Sequence, residues 1–124
     1  MRTILAPSHY RADERLAVYG SLAPGRANAH ILEPLEGSWF EGSVRGRLFR
    51  AGWGAAAGYP GIHLDPQGEE VAILLFCSRG LPAFWEQLDA FEGADYRRVQ
   101  VEVTLARGER LAAQIYELAR ERQS

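Results

Sequence analysis

Leu88-Asp89-Ala90-Phe91-Glu92-Gly93-Ala94-Asp95-Tyr96-Arg97-Arg98-Val99-Gln100-Val101 is where the hydrophobic period of the chain changes, and that change decides the fold class. Before Gly93, the apolar residues Phe84, Trp85, Leu88 and Phe91 recur at helical spacing. Pro82 suits a first turn and Gly93 can stop the helix, so a helix is predicted over Leu81 to Phe91. After Gly93 the period is two. Val99, Val101, Val103 and Leu105 alternate with Gln100, Glu102 and Thr104, which predicts a strand over Tyr96 to Leu105. Arg107-Gly108-Glu109 then turns the chain into a return strand over Arg110 to Leu118.

Upstream of the helix, Glu70 to Cys77 reads as an apolar strand buried on both faces, entered through an Asp65-Pro66-Gln67-Gly68 turn. Tyr59 to Leu64 reads as a short edge strand, because Pro60 cannot donate to a ladder. Residues 52–58 are a loop of small residues around Trp53. Residues 37–49 alternate as one long strand that its glycines allow to bend. Asn28 to Leu35 reads as one or two helical turns, and Arg15 to Tyr19 as a short buried strand closed by Gly20-Ser21. About six strands and one main helix make an α+β domain. Large aromatics and bending glycines favour a small mixed β-barrel flanked by that helix. Residues 1–14 are expected to be a loose lead-in, 15–118 the domain, and 119–124 a polar tail.

The composition excludes several chemistries. All 14 basic residues are arginine, so neither a Schiff-base lysine nor a P-loop lysine exists. One cysteine allows no internal disulfide, and three scattered histidines give no zinc-like spacing, so no metal site is expected. Cys77 lies in an apolar run and reads as a buried, inert thiol. A net charge of -2 gives no footprint for nucleic acid, and Arg45, Arg47 and Arg50 read as a solvated stripe. No stretch is long and apolar enough to span a membrane, and no signal-peptide pattern opens the chain. A cytoplasmic monomer or weak homodimer is expected.

Glu92 is the first residue that could carry chemistry. An anion in the last helical turn is disfavoured by the helix dipole, and burial beside Phe91 and Tyr96 would raise its pKa toward that of a general base. The pattern alone leaves that reading beside a simpler one, a solvated glutamate at a helix end. Asp89, one turn earlier, is the competing carboxylate, and reads more simply as a capping residue or a partner of Arg97 or Arg98. Tyr19-Gly20-Ser21-Leu22 ends a strand in a tight curve whose backbone N–H groups can form an anion-binding nest, or be an ordinary turn. Ser21 lacks the surroundings of a triad nucleophile. Tyr116 sits on the last strand, where its hydroxyl needs a partner if buried.

Taken in order, these features resemble the gamma-glutamylcyclotransferase-like superfamily. The resemblance rests on Tyr19-Gly20-Ser21-Leu22 with Pro24-Gly25 and Asn28, on Gly46-Arg47-Leu48, and on Tyr59-Pro60-Gly61. It rests above all on Leu88-Asp89 with Glu92-Gly93 and Tyr96-Arg97, followed by Ala113 and Tyr116. The resemblance implies a small mixed barrel that releases 5-oxoproline from gamma-glutamyl compounds without a cofactor. It implies Glu92 as the catalytic acid/base and Tyr19, Gly20, Ser21, Leu22, Tyr96 and Tyr116 as substrate-binding residues. A small gamma-glutamyl amine, amino acid or peptide is the implied substrate. A larger gamma-glutamylated intermediate, or a barrel that binds without turnover, are the alternatives. The chain departs from the family pattern in residues 71–76, which hold neither the glycine nor the tyrosine often found there. Phe76 is the residue expected to stand in the tyrosine's place.

Overall fold

The computed structural model describes residues 4–20, 22, 24–26, 28–49 and 60–119. Ser21, Tyr59, the loop at 52–58 and residues 120–124 of the tail lie outside the described residues. The strands are β1 (Arg15–Val18), β2 (Ser38–Phe49), β3 (Gly61–Leu64), β4 (Glu69–Cys77), β5 (Tyr96–Leu105) and β6 (Arg110–Leu118), with one helix, α1 (Trp85–Glu92), between β4 and β5.

Five strands close on themselves. β2 pairs with β4, β4 with β1, β1 with β6 and β6 with β5, and β5 returns to β2 through Gly42↔Leu105 and Ser43↔Thr104. β3 adds to β2 as an outer strand, with Gly46 opposite Leu64. The β1–β6 pair is parallel, Leu16 facing Gln114, and the other pairs are antiparallel. This is the closed mixed barrel with one flanking helix that the alternating segments predict, and Gly108, at φ +96, makes the β5–β6 turn.

Alternation places one set of side chains inside. Val44, Ile62, Ile73, Leu75, Val103 and Ile115 fill the barrel, with Cys77 among them. Burial pushes the Cys77 thiol up to about 12, so it is a packing group. A second cluster forms outside the barrel wall, where Trp85 and Leu88 of α1 pack with Leu16, Phe76, Leu81 and Tyr116. This cluster corrects the reading of β4. Val71, Ile73 and Leu75 are buried while Ala72 is exposed, and both faces are covered only at the C-terminal end, where α1 lies over Phe76. Phe76 is occupied there, its ring 4.7 Å from that of Trp39.

The helix begins four residues later than expected. Residues 81–84 form a turn, with the Phe84 N–H bonded to the Leu81 carbonyl at 2.8 Å, and the helical pattern opens at Leu88 N–H to Phe84.

Residues 7–14 are not a loose lead-in but are fastened to the barrel. Pro7–His9 and Ala12–Glu14 are 3-10 turns. The buried Arg15 guanidinium donates to the carbonyls of Pro7 at 3.0 Å, Ala112 at 2.7 Å and Tyr10. The Trp85 indole donates to the Asp13 carbonyl at 2.9 Å. A buried guanidinium is tolerated only when its donors are met, and backbone carbonyls, which no side-chain pattern reveals, meet them here.

Candidate active site

Glu92 is the last residue of α1. Gly93 stops the helix at φ +79, a conformation that costs glycine little, and its N–H bonds the Asp89 carbonyl at 3.1 Å. The Ala94-Asp95 turn then leads into β5, with Tyr96 N–H to Gly93 and Ala119 N–H to Asp95 closing it. Glu92 therefore stands on the rim between helix and barrel.

A cavity of about 420 Å³ opens there. The end of β1 with Tyr19 and Gly20 forms one wall, and Leu22, Asn28 and Pro60 lie beside it. Residues 91–96 line it from the end of α1 and the start of β5, and Tyr116 lines it from β6, the strand paired beside β1. Of the predicted site residues, Glu92, Tyr19, Gly20, Leu22, Tyr96 and Tyr116 all line this one space, and Ser21 lies outside the described residues. A Cβ at Gly20 would meet Pro60 at 3.0 Å, so glycine lets the chain pass close to the outer strand's entry.

The tyrosines are held from behind. The Tyr19 hydroxyl donates to the Tyr116 carbonyl at 2.6 Å, Tyr96 to the Pro60 carbonyl at 2.7 Å, and Tyr116 to the Asp89 carboxylate at 2.6 Å. Asp89 pairs with Arg98 at 2.9 Å, one of the two partners expected for it. Hydrogen bonding from Arg98, joined by Tyr116, holds the Asp89 carboxyl below its ordinary value. Burial raises the Tyr19 and Tyr116 phenols, keeping both protonated.

Glu92 is half-buried, and burial pushes its carboxyl up to about 7. Among the described lining residues, Glu92 and Asp95 are the only carboxylates and no arginine or histidine faces the space. A group poised between its charged and neutral forms at neutral pH can both take and return a proton. Sequence reasoning missed Asp95 and Phe91 as lining residues. Phe91 counted toward the buried helical stripe, yet it is 43% exposed at the cavity. No local signal marks either. Among the described residues no group of three His, Cys, Asp or Glu side chains converges as a metal site, and no helix is long and apolar enough to cross a membrane.

The family model described as gamma-glutamyl cyclotransferase, AIG2-like, matches residues 16–124. Among solved structures, YkqA from Bacillus subtilis is 25% identical, with a TM-score of 0.65 over 85% of this chain and 35% of YkqA. The chain thus spans little more than a third of YkqA. The Arabidopsis thaliana protein At5g39720.1 is 23% identical, with a TM-score of 0.69 over 89% of this chain and 71% of that one. An AIG2-like protein of Mus musculus is 18% identical, with a TM-score of 0.66 over 92% of this chain and 81% of that one. These last two likenesses are of fold. A search of curated proteins returned no match.

Proposed function

Since the chain belongs to the gamma-glutamyl cyclotransferase, AIG2-like family, we propose that it releases 5-oxoproline from a small gamma-glutamyl amine, amino acid or peptide, with Glu92 as the acid and base. The observation that carries this reading is the Glu92 carboxyl, raised to about 7 by burial, facing the same cavity as the turn that ends β1.

The reaction follows from what such a substrate carries. Backbone N–H groups of Gly20, Ser21 and Leu22 hold the α-carboxylate, which leaves the α-ammonium beside Glu92. Glu92 removes one proton, and the freed amine attacks the γ-carbonyl carbon of the same residue, forming the five-membered ring. Collapse of the tetrahedral intermediate breaks the bond to the leaving nitrogen, which takes that proton from Glu92. Glu92 then takes the second proton of the ring nitrogen and passes it to the departing amine, which leaves as an ammonium. Nucleophile and electrophile belong to one molecule, so holding it folded supplies much of the acceleration, with effective molarities on the order of 10⁵ M or more in well-oriented cases. The steps as drawn use protein groups and substrate alone.

Purified protein assayed for 5-oxoproline against a panel of gamma-glutamyl amines, amino acids and peptides tests the proposal. Wild type is expected to release it from at least one, and Glu92→Gln to lose roughly 10²-fold or more of that rate. Equal release by both proteins removes Glu92 as the base. Binding of the panel without any release instead supports a binding barrel.

A further inference from the structure

Asp89 stands behind the cavity wall, one helical turn before Glu92. Its Oδ1 lies 2.6 Å from the Tyr116 hydroxyl and 2.9 Å from Arg98 Nε, and its Oδ2 lies 3.3 Å from Arg98 Nη2. Arg98 is itself fixed, over the Trp85 ring at 4.5 Å and to Gln114 Oε1 at 3.0 Å. Paired in this way, Asp89 is an anion at neutral pH and can only accept, so Tyr116 must give it its single hydroxyl proton. The other two phenols of the cavity are committed in the same sense, Tyr19 to the Tyr116 carbonyl and Tyr96 to the Pro60 carbonyl. The titratable groups that line the cavity with Glu92 are Tyr19 just past β1, Asp95 in the turn after α1, Tyr96 on β5 and Tyr116 on β6. Glu92 is near enough to Tyr19 and Tyr116 for its charge to raise both phenols.

We infer that Asp89 is a positioning residue of this site: by accepting the Tyr116 proton it presents the phenol oxygen to Glu92 and to the ligand as an acceptor only. Two consequences follow. Glu92 receives no phenol hydrogen bond that would stabilise its carboxylate and weaken it as a base. Any ligand group that meets Tyr116 must bring its own N–H or O–H, as a substrate ammonium does. The role assigned to Asp89 rests on Glu92 being the base, whereas the hydrogen-bond arrangement does not.

The test is a side-chain carboxyl NMR titration of Glu92, in protein carrying ¹³C-carboxyl glutamate and assigned with Glu92→Gln. It compares wild type, Asp89→Ala, Tyr116→Phe and the double variant. In Asp89→Ala the released Tyr116 proton turns to Glu92, and its midpoint falls by about one pH unit. Tyr116→Phe stays near wild type, and Asp89→Ala with Tyr116→Phe returns toward it. A fall that persists in the double variant overturns the inference, because it marks lost Asp89 charge and not a redirected proton. No fall in Asp89→Ala overturns it equally. Asp89→Leu, which likewise offers no acceptor, gives the same reading if Asp89→Ala does not fold. The titration needs no substrate, so it stands or falls separately from 5-oxoproline release. Where release is measured, the acid limb of kcat/KM moves with the titration in each variant.

Discussion

Glu117, on β6, accepts a hydrogen bond from the backbone N–H of Leu64, on β3, at 3.2 Å. These two strands share no ladder, so this contact ties the outer strand to the barrel from its unpaired side. The other Glu117 oxygen meets Arg97 Nη2 at 3.0 Å and Nε at 3.1 Å, which holds a buried carboxylate in place. Pro60, on the cavity wall, directly precedes β3.

Glu117→Ala is expected to cost about 1–3 kcal/mol, because the Leu64 N–H loses its partner in a partly buried position. Glu117→Gln keeps an oxygen for Leu64 and is expected to cost less than half as much. Urea denaturation midpoints at constant slope check both.

The activity should depend on pH through Glu92. A base must be unprotonated to accept, so kcat/KM is expected to rise with pH through about 7 and level above it. A kcat/KM profile across pH 5 to 9 measures the free-enzyme value, roughly the range that the base would control. A flat profile removes Glu92 from the rate.

The same carboxyl should make stability fall with pH. Its folded value, about 7, lies above the ordinary 4.5, so between those values the folded state holds a proton that the unfolded state has lost. The contribution is full below 4.5 and is lost as pH rises to about 7. The stability difference between wild type and Glu92→Gln is expected to shift in that window, against wild type with rising pH, and to be level beyond it. Asp89 is shifted downward, so it titrates below the window. Chemical denaturation of both proteins at matched pH values reads the difference.

Two glycines in contact with β3 and its neighbours should differ in how they tolerate a methyl group. A Cβ at Gly46 would lie 2.5 Å from the His63 carbonyl oxygen, which a paired strand holds fixed. A Cβ at Gly61 would lie 2.6 Å from the Leu118 side chain, which can be trimmed. Both alanine variants are expected to lose about 1–3 kcal/mol. Part of the Gly61→Ala loss should be recovered in Gly61→Ala with Leu118→Ala, measured relative to Leu118→Ala alone. Thermal unfolding of the set checks the contrast.

What was readable in the sequence was what repeats locally. The β5–β6 hairpin follows from alternating valines and a glycine turn, and the stop of α1 from Gly93. Glu92 and the end of β1 were legible as segments that could meet, because each carries its own local pattern, and both line the one cavity. The hydrogen bonds behind them were not. Tyr116 reaches Asp89 across 27 positions and Tyr96 reaches the Pro60 carbonyl across 36, and neither partner alters the local period. The fastening of residues 7–14 escaped for the same reason, since Arg15 reaches Ala112 across 97 positions to a backbone atom.

The parallel seam between β1 and β6 also dictates when the cavity can exist. Leu16 and Gln114 meet only after every residue between them has been made, and Tyr116 lies just past that meeting point. On a ribosome, Glu92 and the end of β1 emerge well before the strand that closes the wall between them. The nascent chain therefore carries both halves of the pocket without a pocket, and long-range closure makes its appearance a late folding event.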